Sequence, residues 1–366
     1  MKKFVRDNID KIKPYKPGKP IEDVKRELGL SDIVKLASNE NPLGVSPKAL
    51  LAMQESLKEI YRYPDGSTLR LRRKLADKFN IDMDNLIIGN GSNEIIELAI
   101  RAFLYEHEEV ITSTPDFLIF KLATLQEAGK VIEVPLDNFY CDLNKVYETI
   151  TDKTKIIFIS NPNNPVGTYI NEEALSEFIE KTPENIIIFL DEAYCEFAQN
   201  IRDFPKSLRY LKKPNVIITR TFSKAYGLSG IRVGYAMSNK KLIEAMNKAR
   251  QPFNVNMVAQ AGAEAALDDD DFLGKTIKSN EAGKIYIYNE LNELGLDYVP
   301  SATNFILINT KRDAENVFDE MLKRGVIIRS MAAYRLNNWI RVTIGKEEEN
   351  RKFISALKDI IKGDKT

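Results

Sequence analysis

One histidine, one tryptophan and two cysteines stand in a chain of 366 residues. Each scarcity removes a class of chemistry. With His107 as the only imidazole, neither an H-E-x-x-H pair nor a Cys/His zinc cluster can be assembled, and no metal site is expected. A Ser-His-Asp triad would have to be built around that one residue, and no G-x-S-x-G accompanies it. His107 lies in Tyr105-Glu106-His107-Glu108-Glu109, just ahead of a strand and with no nucleophile or ligand set beside it, so it reads as a surface residue. Cys141 and Cys195 are far apart and form no C-x-x-C; a disulfide scaffold is not expected, and a reducing cytoplasm fits. No apolar run reaches membrane-spanning length, and the first residues hold no apolar signal core. Charge of one sign is also missing. The 53 basic and 53 acidic side chains cancel, which argues against nucleic acid or an anionic membrane as the main partner. Chemistry borrowed from a cofactor remains open.

The segment up to about Ser31 is rich in lysine and proline, as in Lys13-Pro14-Tyr15-Lys16-Pro17-Gly18-Lys19-Pro20, which predicts an extended arm. Further on, Ser67 is placed to cap a helix carrying Leu71, Leu75 and Phe79. The short strand Leu86-Ile87-Ile88 runs through Gly89-Asn90-Gly91-Ser92-Asn93-Glu94 into a helix with Ile95, Leu98, Ala99 and Phe103. That turn reads either as an anion cup at a helix start or as a plain glycine turn. Glu94 stands where a G-x-G-x-x-G would need its third glycine, which weakens a dinucleotide reading. Apolar strands then alternate with amphipathic helices, through Val110-Ile111, Val131-Ile132, Ile156 to Ile159, Ile186 to Leu190, Val216 to Ile218 and Val233 to Met237. Asn171 caps the helix of Leu175, Phe178 and Ile179. This pattern predicts an α/β fold whose mostly parallel sheet is covered on both faces, with sites at the strands' carboxyl ends. Asp268-Asp269-Asp270-Asp271 reads as a solvated boundary. The strands and helices beyond it form a smaller α+β domain. The expected division is 1–36 arm, 37–267 large domain and 268–366 small domain.

The stretch Arg220-Thr221-Phe222-Ser223-Lys224-Ala225-Tyr226-Gly227 follows the strand Val216 to Ile218. A lysine beside a buried sheet edge is a candidate nucleophilic amine. Thr221, Ser223 and Arg232 around it suit a phosphate, the arginine through a bidentate fork. A solvated Ser-Lys loop is the competing reading of this stretch taken alone.

Two other strand ends add to it. Ser160-Asn161-Pro162-Asn163-Asn164-Pro165-Val166-Gly167-Thr168 follows one, and Asp191-Glu192-Ala193-Tyr194 follows the next. The ordered set S-N-P-N-N-P-V-G-T, D-E-A-Y, T-F-S-K and G-x-R-V-G-Y resembles the fold-type I aminotransferases that use pyridoxal 5'-phosphate, and within them the histidinol-phosphate aminotransferase family of the class II subgroup. The likeness runs from K-L-A-S-N-E-N-P at Lys35 to W-I-R-V-T-I-G ending at Gly345. It implies a large domain built on a seven-stranded sheet and a homodimer with shared sites.

The resemblance also implies roles. Lys224 carries the cofactor and moves protons. Asp191 keeps the pyridine nitrogen protonated. Tyr194 and Asn164 donate to the phenolate oxygen, and Phe117 covers the ring where many relatives have tyrosine. The Gly91, Ser92 and Asn93 amides, Thr221, Ser223 and Arg232 hold the phosphate, and Tyr63 reaches the partner's cofactor phosphate. Arg341 takes a carboxylate and Arg329 a second anion, with Tyr15, Asn41 and Asn93 as polar helpers. Ser330 to Leu336 departs from the family's usual sequence. The activity implied is transamination of L-histidinol phosphate with 2-oxoglutarate, in histidine biosynthesis. An aromatic or broad-range aminotransferase and a threonine-phosphate decarboxylase are alternatives on the same fold. A ligand-sensing regulator is a third reading, opposed by the completeness of the site.

Overall fold

The apolar runs become strands where their composition marks them. The structure, a computed structural model, describes residues 4–14 and 19–363. In chain order its strands begin with β1 (Val34–Lys35), β2 (Leu86–Gly89), β3 (Glu109–Thr114), β4 (Lys130–Pro135), β5 (Thr154–Ser160) and β6 (Ile187–Asp191). They continue with β7 (Val216–Thr221), β8 (Gly234–Ser238), β9 (Asp297–Val299), β10 (Phe305–Asn309), β11 (Val326–Ile327), β12 (Arg329–Ser330) and β13 (Trp339–Thr343). The described residues fall into two compact units. One comprises 4–14, Val45–Asn164 and Tyr169–Asp270; the other comprises 19–44, Pro165–Thr168 and 271–363.

The first unit holds a seven-stranded sheet of order β2-β8-β7-β6-β5-β3-β4. Its strands pair in parallel from β4 through β7, and β8 runs antiparallel to both neighbours. Strands β5, β6 and β7 are buried almost throughout, which is why Ile156 to Ile159, Ile187 to Leu190 and Val216 to Ile218 are apolar runs without polar alternation. Helices Ser92–Phe103, Leu118–Gln126 and Lys240–Ala249 bring Ile95, Phe120 and Met246 against Phe158, Phe189 and Ile217. Each such side chain contributes roughly 1.5–3 kcal/mol by leaving water. Asn171 caps its helix as expected, accepting from the Ala174 N–H at 2.9 Å. Since β4 and β5 lie on opposite sides of β3, the winding reverses there, and in open α/β sheets the binding crevice lies at such a point, here outside the carboxyl ends of β3 and β5.

The second unit carries an antiparallel sheet of order β12-β13-β10-β9 and the parallel pair β1-β11. Its core gathers Ile287, Leu291, Ile306, Ile308, Met321, Phe353 and Leu357. This is the mixed α+β pattern read from the sequence.

Three local expectations change. Ile21–Leu28 is a helix inside the segment expected to be extended, with Val24 fully buried beside Ala37, Leu322 and Ile327. The proline run ends at Pro20, and Ile21, Val24 and Leu28 share one face. Ser67 does not cap the helix Leu69–Phe79. Thr68 turns left-handed, and the Asp65 carboxylate accepts from both the Ser67 and Leu69 N–H groups at 2.8 Å. The acidic run is not uniformly solvated either, because Asp269 is buried and accepts from the Ser46 hydroxyl. His107 is exposed, with Glu106 3.4 Å away. Among the described residues no helix is long and apolar enough to cross a membrane.

Candidate active site

Lys224 sits in a loop fixed by its own backbone. Phe222 N–H donates to Val233 at 3.1 Å, Leu228 N–H to Phe222 at 2.9 Å, and Gly227 N–H to Lys224 at 3.0 Å. Gly227 takes φ +71°, which closes the loop without a Cβ clash. The Lys224 ammonium lies 5.7 Å from the centre of the buried Tyr194 ring.

Asp191 ends β6, one strand from the Lys224 strand, in register with Thr219 on β7 and Ser160 on β5. It is 4% exposed. Burial pushes its carboxyl up to about 7, against the Ala193 N–H bond and the Lys224 charge, while Glu192 pushes it further up. A buried carboxyl so placed is ready for a cation.

The other end of the site is shaped by two glycines. Gly91, at φ +81°, precedes the helix Ser92–Phe103; a Cβ there would lie 2.5 Å from Arg232 Nη2. A Cβ on Gly234 would lie 2.6 Å from the Ser92 nitrogen. Their bareness lets the helix N-terminus, the start of β8 and the Arg232 guanidinium meet. Arg232 donates to the Ser229 carbonyl at 3.1 Å and to Ser223 Oγ at 3.4 Å, and Ser223 N–H donates to Thr221 Oγ1 at 3.1 Å. A helix start, a guanidinium and two hydroxyls form an anion site of the kind phosphates take. Glu94 has its own task. Its carboxylate accepts from the Asn90 N–H at 2.5 Å and from Asn254 Nδ2 at 2.6 Å, so it caps the turn where a dinucleotide loop would carry glycine.

Phe117 follows β3 and Asn164 follows β5, so both flank the crevice, and Phe117 meets Phe120 edge-on at 5.7 Å. The first unit therefore brings together Gly91, Ser92, Thr221, Ser223 and Arg232 at one end, and Asp191, Tyr194 and Lys224 beside it. Asn93 lies in the first turn of the helix Ser92–Phe103. Tyr63 is in the same unit but 81% exposed, stacked on Phe253 at 4.8 Å. The second unit holds the other candidates. Arg329 and Arg341 are register partners on β12 and β13. Arg341 donates to the Ala37 carbonyl at 3.0 Å and lies over the Phe305 ring at 5.0 Å. Asn41 Nδ2 donates to Thr276 Oγ1 at 3.0 Å. Tyr15 lies outside the described residues.

Two buried groups near the site were missed in the sequence. Glu192 forms a two-pronged ion pair with Arg220, at 2.9 Å from Nε and 2.8 Å from Nη2, binding the end of β6 to β7. Asp116, next to Phe117, accepts from Ser160, Thr112 and Phe117. Glu192 stands within the D-E-A-Y motif but has no role assigned from it, and Asp116 carries no sequence signal beyond its position at a strand end.

Pyridoxal phosphate fits these residues. The Gly91–Arg232 cradle matches its phosphate, the buried Asp191 its protonated ring nitrogen, and Lys224 its aldehyde. The chain is also similar to proteins already described. It is 44% identical to a histidinol-phosphate aminotransferase 2 of Carboxydothermus hydrogenoformans, over 98% of this chain and 99% of the relative. It is 46% identical to a histidinol-phosphate aminotransferase of Methylobacillus flagellatus, covering 98% of each. The crystal structure of the histidinol-phosphate aminotransferase of Sinorhizobium meliloti in complex with pyridoxal-5'-phosphate superposes with a TM-score of 0.91 at 28% identity, covering 99% of both chains. The family profile of aminotransferase class I and II matches residues 31–357. Lysine, carboxylate and phosphate cradle thus stand at the ends of a reversing parallel sheet within a match of nearly full length, and the chain belongs to the class I and II aminotransferases.

Proposed function

We propose that this chain transfers an amino group from L-histidinol phosphate to 2-oxoglutarate, giving imidazole acetol phosphate and glutamate, with pyridoxal phosphate carried on Lys224. The observation that carries the substrate is the near-full-length identity of 44% and 46% to relatives bearing that name. The cofactor supplies the electron sink that makes the substrate's Cα–H acidic. The protein does the rest. Lys224 Nζ would take the Cα proton and deliver it to the carbon that was the cofactor's aldehyde, not back to Cα. Asp191 holds the ring nitrogen in its charged form, while Tyr194 and Asn164 donate to the ring oxygen. Phe117 covers one ring face. Gly91, Ser92, Asn93, Thr221, Ser223 and Arg232 hold the phosphate, so that the reacting carbon stays beside Lys224.

Arg329 and Arg341, side by side on β12 and β13, are the proposed anion pair for the substrates, with Asn41 and Tyr15 as polar helpers. Histidinol phosphate has no carboxylate, so a fork that grips glutamate must grip its phosphate monoester instead. Charge-assisted bonds contribute roughly 1.5–3 kcal/mol each. Two of them give about 10²–10⁴ in kcat/KM for phosphorylated over unphosphorylated histidinol.

The working unit is a homodimer. Leu51, Leu57, Ile60, Tyr61, Tyr63 and Phe253 are exposed in the first unit, which suits a self-complementary interface. Tyr63 is then the residue that reaches the partner's cofactor phosphate. The two free cysteines suit a reducing cytoplasm.

The test is kcat/KM for histidinol phosphate, histidinol and phenylalanine on one preparation. Histidinol phosphate is expected to lead. Phenylalanine equalling or beating it would replace this substrate with the aromatic alternative.

A further inference from the structure

Asp116 is 7% exposed and hydrogen-bonded from three directions. Its Oδ1 accepts from the Phe117 N–H at 2.7 Å and from the Ser160 hydroxyl, and its Oδ2 accepts from Thr112 Oγ1 at 3.3 Å. Ser160 Oγ accepts in turn from Asn163 Nδ2 at 3.1 Å. Thr112 lies in β3, Phe117 in the loop that follows it, and Ser160 ends β5, opposite Asp191 on β6. Asn163 adjoins Asn164. One carboxyl therefore ties together the two loops that flank the crevice where the winding of the sheet reverses.

The arrangement carries a cost. Burial pushes the Asp116 carboxyl up to about 7. The Ser160, Phe117 and Thr112 bonds act against burial, and the neighbouring Asp191 adds to it. A carboxyl held this deep by donors alone is a poor way to stabilise a fold, since an apolar side chain of that size would cost less. Its geometry serves better as a brace, because it fixes the backbone that aims Phe117 and the side chain that anchors the Asn163-Asn164 turn.

We infer that Asp116 is a positioning residue for the cofactor, locking the Phe117 loop and the Asn163-Asn164 loop in one arrangement through Ser160 and Thr112. It acts through Phe117 and Asn164. The inference rests on pyridoxal phosphate being the cofactor.

The variants separate the brace from simple packing. In Asp116→Asn the amide oxygen can still accept from Phe117 and Ser160, and the amide nitrogen can donate to Thr112 Oγ1. The brace survives without a charge. In Asp116→Ala it is gone, and in Ser160→Ala the link between the loops is cut from the other side. The readouts on full-length protein are the dissociation constant for pyridoxal phosphate and the visible circular dichroism per bound cofactor, which reports how the ring is held and not how much protein is folded. Asp116→Ala should weaken binding on the order of 10-fold and reduce the dichroism, as the loss of the hydrogen bonds that tie the two loops implies. Asp116→Asn should stay within about 3-fold of wild type. Ser160→Ala should move both readouts in the direction of Asp116→Ala, and the double variant should be no worse than Asp116→Ala alone, since both cut one network. Should Asp116→Ala fail to fold, Ser160→Ala against Asp116→Asn decides the matter. Wild-type affinity and dichroism in Asp116→Ala or Ser160→Ala, or fully additive effects in the double variant, would overturn the inference. A wild-type chain that binds no pyridoxal phosphate would instead overturn the cofactor reading, and this inference with it.

Discussion

Asp191→Asn separates what the site costs the fold from what it gives the cofactor. Burial lifts the Asp191 carboxyl from 3.8 to about 7 in the protein without cofactor. The folded chain thus keeps this proton to higher pH than the unfolded chain does. Between about pH 4 and 7 the native state binds more protons, so stability falls as pH rises through that window and is level above it. At roughly 1.36 kcal/mol per pH unit the full loss is about 4 kcal/mol; relaxation and partial hydration of the pocket reduce the expected figure to about 2 kcal/mol. Asparagine retains an acceptor for the Ala193 N–H and removes the titration. The cofactor-free variant should therefore be about 2 kcal/mol more stable than cofactor-free wild type at pH 8, and equal to it near pH 4. With cofactor the order reverses, because the ring nitrogen loses its counter-charge. The assay is urea unfolding from pH 4 to 8 on both chains, with and without pyridoxal phosphate. Parallel stability–pH curves for the two cofactor-free chains would refute the reasoning, as would a variant that binds cofactor as tightly as wild type.

Gly91→Ala puts a methyl 2.5 Å from Arg232 Nη2 on backbone at φ +81°. The guanidinium must swing away, and affinity for pyridoxal phosphate, read by equilibrium dialysis, should drop at least about 10-fold, the equivalent of one lost charge-assisted bond. If the proposed dimer shares its sites, mixing inactive Tyr63→Phe with inactive Lys224→Ala chains should restore part of the activity. No recovery from chains that demonstrably exchange subunits would remove Tyr63 from the partner's site.

How much of this was legible in the sequence depended on the range of the interaction. Buried parallel strands announce themselves by unbroken apolar runs, so the strand ends bearing Asn164, Asp191 and Lys224 could be placed from Ile156, Ile186 and Val216 onward. The cradle was legible as residue types, but not its reason. That Gly91 and Gly234 must both be bare follows from an approach between segments more than a hundred residues apart, which no local pattern records. Local chemistry misled where two side chains competed for one backbone group. Ser67 and Asp65 are equally good capping types, and Ser67 stands nearer the helix, yet the Asp65 carboxylate reaches both free N–H groups. The proline-rich arm reads as extended because its prolines outweigh the three apolar residues of the Ile21–Leu28 helix, whose burial of Val24 only tertiary packing supplies. Asp116 was invisible for the same reason, since its partner Ser160 is brought to it by strand order alone.

The lone, exposed imidazole of His107 has a spectroscopic use. In a nitrogen-15 spectrum of the ring nitrogens this chain contributes one histidine, on the surface and beside Glu106, so any second imidazole belongs to a ligand. The tautomer and protonation state of a nitrogen-15-labelled, imidazole-bearing substrate can therefore be followed through binding without mutagenesis.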